Sequence, residues 1–207
     1  ATLKDEETNQ LYATLIQDYG QPYYCNHNGN LTAINESFWA ALHRGEHVEL
    51  YEPSEKTFYR YDAGSGLYEA VSEDVLKQEI STRILQVSRQ DDQPLLEKKR
   101  SNANPNSIIG QLRGIAEHGG CFSNKKTRDV HLANGVMVFG KDGESNLVEF
   151  SEKFFSRNQS PINFDPSAKC ERFLNELLCP AVNVDDVMLI QKYAGLCLLG
   201  GNLIQRF

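Results

Sequence analysis

The chain has 207 residues, 40% hydrophobic and 24% charged, enough to bury a core in one large domain or two small ones. Its net charge of −7 argues against a purely electrostatic nucleic-acid binder, and no apolar run approaches the ~20 residues of a membrane-spanning helix. Five cysteines (Cys25, Cys121, Cys170, Cys179, Cys197) are odd in number and lack a Cys-x-x-Cys pair, so they read as reduced thiols of a cytoplasmic protein rather than a disulfide framework.

The first residues, "ATLKDEETNQ", are polar and acidic, unlike a signal or transit peptide. Residues 8–19 carry Leu11, Leu15 and Ile16 at helical spacing, closed by Gly20 and Pro22. "NESFWAALHR" at 35–44 predicts a short helix, with Asn35 as N-cap, an apolar face of Phe38, Trp39 and Leu42, and Gly45 as its stop. Alternating residues then predict strands. Val48 and Leu50 form one edge, and 58–61 and 67–71 flank the turn "DAGSG" as a hairpin. Ser72 caps a helix with Glu73 and Asp74 in its first turn, buried through Leu76, Ile80, Ile84 and Val87.

Residues 88–106 are polar and rich in Pro and Asn, the composition of a linker. A short helix follows, buried through Ile108, Leu112, Ile115 and Ala116 and stopped by Gly119-Gly120. "VHLANGVMVFGKDGESNLVEFS" predicts three strands with a tight Asn134-Gly135 turn and a glycine turn at 140–143. Near the end, Asp165 and Pro166 read as N-cap and first residue of a helix. Its apolar face is Cys170, Phe173, Leu174, Leu177 and Leu178. A last helix, from Asp185-Asp186 to Leu198, is apolar on most sides and expects neighbours around it.

Charge is unevenly spread. Residues 1–75 hold 4 basic and 13 acidic side chains, 76–131 hold 10 and 6, and 132–207 hold 7 and 9. The middle third is thus a basic island, with Lys98, Lys99, Arg100, Arg113, Lys125, Lys126 and Arg128 as candidate phosphate contacts beside a helix N-terminus. "HRGEH" at 43–47 matches the inverted zinc-protease pattern His-x-x-Glu-His, which needs both imidazoles on one helical face. With Gly45 read as a stop, His43 becomes a surface residue and the two rings diverge, so no metal site is expected. "GCFSNKKT" imitates a phosphate loop but has Lys125 where the second glycine belongs, and it reads as a basic surface loop. Cys25 and His27 lack a second ligand pair, Gly64-Ser65-Gly66 is a turn without a following helix, and no nucleophile constellation is present.

From about Phe38 on, and most clearly from residue 134, the order of motifs resembles the N-terminal domain of the poxvirus and phage helicase-primases, which precedes a superfamily 3 helicase module. The motifs are Asn134-Gly135 at a strand start, then Pro161, Phe164-Asp165-Pro166, Ala168 and Cys170, then Phe173-Leu174, then Gln191 with Gly195 and Leu198. Glu171 stands where the family often has proline, and Leu199-Gly200-Gly201 where it often has Thr-Gly.

The resemblance implies an α+β fold of small antiparallel hairpin sheets packed with helices. Residues 1–157 would form a collar-like accessory domain. Residues 158–207 would form a helical segment leading into the ATPase module, with 203–207 opening its first strand. It implies no catalytic residue and no cofactor in this chain; ATP and Mg belong to that module. DNA is the implied partner, with self-association, as a hexamer, in the full-length protein and no membrane. A pure protein-interaction module, its acidic first third meeting a basic partner, is the alternative reading. A metal hydrolase at His43 and His47 is the third.

Overall fold

The computed structural model describes residues 3–101, 103–123, 129–140 and 144–198. The fold is α+β: among the described residues, seven helices accompany three small antiparallel sheets. The chain forms two compact units, Ala1–Asp62 with Tyr68–Asn124, and Ala63–Leu67 with Lys125–Phe207.

In the first unit, α1 (Leu3–Tyr19) is followed by the hairpin β1 (Tyr23–Cys25) and β2 (Leu31–Ile34), which alternation did not reveal. Helix α2 (Glu36–Glu46) starts where expected. The Asn35 side chain accepts from the Phe38 N–H at 3.2 Å, satisfying a donor that the first helical turn leaves open. The helix does not stop at Gly45. A Cβ there would stand 3.0 Å from both methyl carbons of Leu11, so the glycine serves the close approach of α1.

Strands β3 (Glu49–Glu52), β4 (Thr57–Asp62) and β5 (Leu67–Val71) form a sheet in chain order, the 57–71 hairpin falling where the alternation placed it. Val48 lies before the first strand and is exposed, while Leu50 is buried. Helix α3 (Glu73–Gln90) is capped by Ser72 and buries Leu76, Ile80, Ile84 and Val87. The stretch read as a linker is folded instead. Pro94, cheap at a first helical position, opens the short α4 (Pro94–Glu97), a 3₁₀ turn covers Lys98–Arg100, and α5 (Ala103–Ile115) follows. Leu96 is fully buried, which anchors the segment to the core.

The core joins Leu15 of α1, Phe38, Trp39 and Leu42 of α2, the α3 stripe, Leu96 and the inner face of α5. On α5 that face is Ile108, Ile109 and Leu112; Ile115, expected inside, is 39% exposed because the helix ends there. After α5 the chain runs alongside β3, with Tyr51 N–H donating to Ala116 O at 2.7 Å and His118 N–H donating to Tyr51 O at 2.9 Å. The nearly buried Glu52 carboxylate accepts from Gly120 N–H (2.7 Å) and from Ser54, so its burial is compensated.

The second unit holds the sheet β6 (Asp129–Leu132), β7 (Gly135–Phe139) and β8 (Ser145–Val148), antiparallel in chain order as predicted. Val136 and Met137 are buried, and the His131 ring stacks on Phe150 with centroids 4.9 Å apart. Asn134 joins two parts of the motif series. Its amide donates to Phe164 O and accepts from Phe164 N–H, each at 2.9 Å. Gly135 has φ +151°, and a Cβ there would sit 2.7 Å from the Val148 carbonyl oxygen. Gly135→Ala is therefore expected to destabilise this unit by about 1–3 kcal/mol, the range for a strained backbone position. Urea unfolding is the check, and a variant as stable as the parent contradicts it.

The C-terminal helices depart from expectation. Asp165 does not cap a helix. Its carboxylate accepts from Ser167 N–H (2.8 Å) and Ser167 Oγ (2.6 Å), closing a local turn instead. Pro166 lies in that turn, and the helix begins only at Glu171, continuing as a π-helix over Phe173–Leu178. Cys170 thus precedes the helix and is exposed rather than packed. Short α6 (Cys179–Ala181) and α7 (Val184–Leu198) follow. Phe173, Leu174 and Leu177 are exposed, as are Val184, Met188, Leu189, Tyr193 and Leu198, so neither predicted apolar face finds a core in this unit. The final strand reading, 203–207, lies outside the described residues.

Candidate functional site

Continuation of α2 through Gly45 overturns the expected divergence of the two histidines. His43 lies in the last turn, only 4% exposed rather than on the surface, and His47 is the C-cap, its N–H donating to His43 O at 3.1 Å. That i, i+4 spacing puts both imidazoles on one side, with centroids 4.7 Å apart.

Three further elements bring charged groups to the same place. Glu49 opens β3, and the antiparallel register sets it opposite Arg60 on β4. Arg60 Nε donates to Glu49 Oε1 at 2.7 Å. The same guanidinium makes a two-pronged contact with Glu79 of α3, Nη1 to Oε1 at 2.9 Å and Nη2 to Oε2 at 2.5 Å. His43 Nε2 stands 3.1 Å from Glu49 Oε2 and 3.9 Å from Glu79 Oε2. The first approach is close but off the line of a hydrogen bond, and both atoms are buried without a hydrogen-bond partner. The cluster borders a groove of about 440 Å³ between the end of α2 and the α3 face of Val75, Gln78, Glu79 and Thr82, where Arg83 pairs with Glu46 at 2.8 Å.

The electrostatics follow from this packing. Burial pushes the Glu49 carboxyl up, but neighbouring His43 and Arg60 outweigh it and hold it below the ordinary value of 4.5. Arg60 likewise holds Glu79 down through its hydrogen bonds, and Glu79 and Glu49 in turn raise the Arg60 value. Burial lowers His47, helped by His43 and Arg60, so its ring is held neutral at neutral pH. Two carboxylates, two imidazoles and one guanidinium thus meet at one place.

The basic island is placed less uniformly. Lys98, Lys99 and Arg100 share one turn next to the start of α5. Lys98 is exposed, Lys99 Nζ donates to Thr32 O at 2.7 Å, and Arg100 Nε donates to Ser81 Oγ at 2.9 Å. These acceptors are uncharged, so the three positive charges stay uncompensated by them. Arg113 is instead ion-paired to Glu73 of α3. Lys125, Lys126 and Arg128 lie outside the described residues. Of the motif residues, Asn134 and Gly135 shape the second sheet, whereas Asp165, Pro166, Cys170, Phe173, Leu174 and Gln191 are exposed and Gly195 is half-buried.

The sequence reading named His43 and His47 but missed Glu49, Arg60 and Glu79. One signal was available: opposite charges at Glu49 and Arg60 on strands that a short turn makes antiparallel. No protein-family model matches this chain, and no curated protein matches it. Among the described residues, no helix is long and apolar enough to cross a membrane.

Proposed function

We propose that the chain is the non-catalytic accessory domain of a DNA-replication helicase-primase, of the kind that precedes a superfamily 3 ATPase module. It works in the cytoplasm of a bacterial or virus-infected cell, guides DNA and contributes to assembly of the helicase ring. The observation that carries this reading is the apolar surface of the C-terminal helices. Val184, Leu189, Tyr193 and Leu198 of α7 are each 64% exposed or more, far beyond scattered surface hydrophobics. A segment that docks on a following module has that character. The resemblance of the motif series from Asn134 to Leu198 supports reading that module as a superfamily 3 ATPase. ATP and Mg chemistry belongs to that module, and this chain is expected to show no ATP turnover. Turnover that survives rigorous purification would sink the assignment.

The DNA role rests on the Lys98–Arg100 turn. Fluorescence anisotropy with a labelled single-stranded oligonucleotide should show weak binding that falls with salt. The double variant Lys98→Ala/Lys99→Ala should lower the slope of log affinity against log salt by about 1 per lost phosphate contact. Equal slopes in parent and variant would remove the patch from the proposal. If the parent itself does not bind at low salt, the same apolar surface favours the second reading, a protein-interaction module without DNA contact.

A further inference from the structure

We propose that His43, His47 and Glu79 form a mononuclear site for a transition-metal ion of the zinc type, at the edge of the groove between α2 and α3. The proposal does not depend on the replication reading. Two observations carry it. One potential donor atom from each of the three residues lies within 4.8 Å of the others. Zinc bonds of about 2.0–2.1 Å put tetrahedral ligands roughly 3.4 Å apart, so closure needs a contraction of up to about 1.4 Å. Glu79, with 34% of its side chain exposed, and the half-buried His47 have room for it.

The second observation is the buried Nε2 of His43. It stands 3.1 Å from Glu49 Oε2 and 3.9 Å from Glu79 Oε2 without hydrogen-bond geometry to either, so a buried polar atom faces two acidic oxygens and is poorly satisfied by them.

The donor set decides the metal class. Two imidazoles and one carboxylate suit zinc and related ions, whereas calcium and magnesium prefer all-oxygen shells. Arg60 acts as a positioning residue. It grips both Glu79 oxygens and orients them, as hydrogen-bonded partners do for ligating carboxylates, and the remaining lone pairs stay open to the ion. Three protein ligands leave a fourth position, facing the groove.

The test uses the whole chain, stripped with a chelator and titrated with zinc chloride by calorimetry, with cobalt(II) absorption as a second probe. The expected result is one zinc per chain, tetrahedral cobalt bands and a thermal midpoint that rises with zinc. His47→Ala and Glu79→Gln should each weaken zinc binding by roughly tenfold or more, since even an outer-shell partner is worth that. Glu79→Gln is nearly isosteric and keeps an acceptor for Arg60, so its circular dichroism should match the parent. Absence of zinc uptake, or uptake unchanged in both variants as cysteine binding would give, overturns the site.

Discussion

Trp39→Ala is expected to destabilise the first unit by about 3–5 kcal/mol, the range for truncating a buried large aromatic. Trp39 is 1% exposed, at the centre of the core, and meets Phe38 edge-on with centroids 5.8 Å apart. Its indole N–H also donates to Pro22 O at 2.9 Å, tying α2 to the chain entering β1. Alanine removes the contact area and opens a cavity, and it leaves that carbonyl with the Asn35 N–H as its remaining donor. Trp39→Phe keeps most of the volume and should cost less, roughly 1–2 kcal/mol. The readout is urea unfolding by far-ultraviolet circular dichroism, because Trp39 is the single tryptophan and its fluorescence leaves with it. An alanine variant within about 1 kcal/mol of the parent contradicts the assignment of this residue to the core.

Arg60→Met should have the next largest effect. It strips Glu49 and Glu79 of their shared cation while a flexible apolar chain fills the stem's place. Breaking a buried pair costs about 3–5 kcal/mol; here Arg60 is 26% and Glu79 34% exposed, so the solvent-screened limb brings the expectation to roughly 2–4 kcal/mol. The acid dependence gives a separate signature. Glu49 and Glu79 are held below their ordinary value of 4.5. Their stabilising contribution is therefore complete above that pH and is lost as the pH falls through the depressed values. His47 is held below 6.5, so the unfolded chain takes up a proton that the native ring resists, and stability also declines as the pH falls through that range. Both effects have the same sign. In metal-free protein, Arg60→Met should flatten the acid limb, because Glu79 loses its main depressing partner and Glu49 keeps only His43. An equally steep limb in parent and variant contradicts the arrangement.

The fold was readable where one element's pattern decides it. The α3 stripe recurs at helical spacing and the core accepts all of it; the 57–71 and 129–148 strands alternate around glycine turns. The misreadings share a physical cause, a local signal overruled by a contact from elsewhere in the chain. Gly45 looks like a helix stop until Leu11 is seen against it. Leu96 is a lone buried residue in a polar run, and no period announces it. Asp165-Pro166 has the composition of a helix start, but Asp165 binds Ser167 and the helix begins five residues after Pro166. At the candidate site, spacing exposed the two histidines of "HRGEH". Glu49, Arg60 and Glu79 arrive from β3, β4 and α3, a convergence that only the sheet register and the packing of α3 determine.

The hairpin tip at Ala63–Leu67 carries a consequence for dissecting the protein. Its flanking strands count with the first unit, but the tip itself counts with the second, where Gly66, at φ +72°, lies so close to Phe150 that a Cβ would come within 2.6 Å of the ring. Hairpin tips ordinarily tolerate inserted sequence because nothing packs on them. This one is occupied, so it offers no site for a tag, a loop graft or new termini. Neither unit is one continuous stretch of chain, and no single cut releases one whole without taking part of the other.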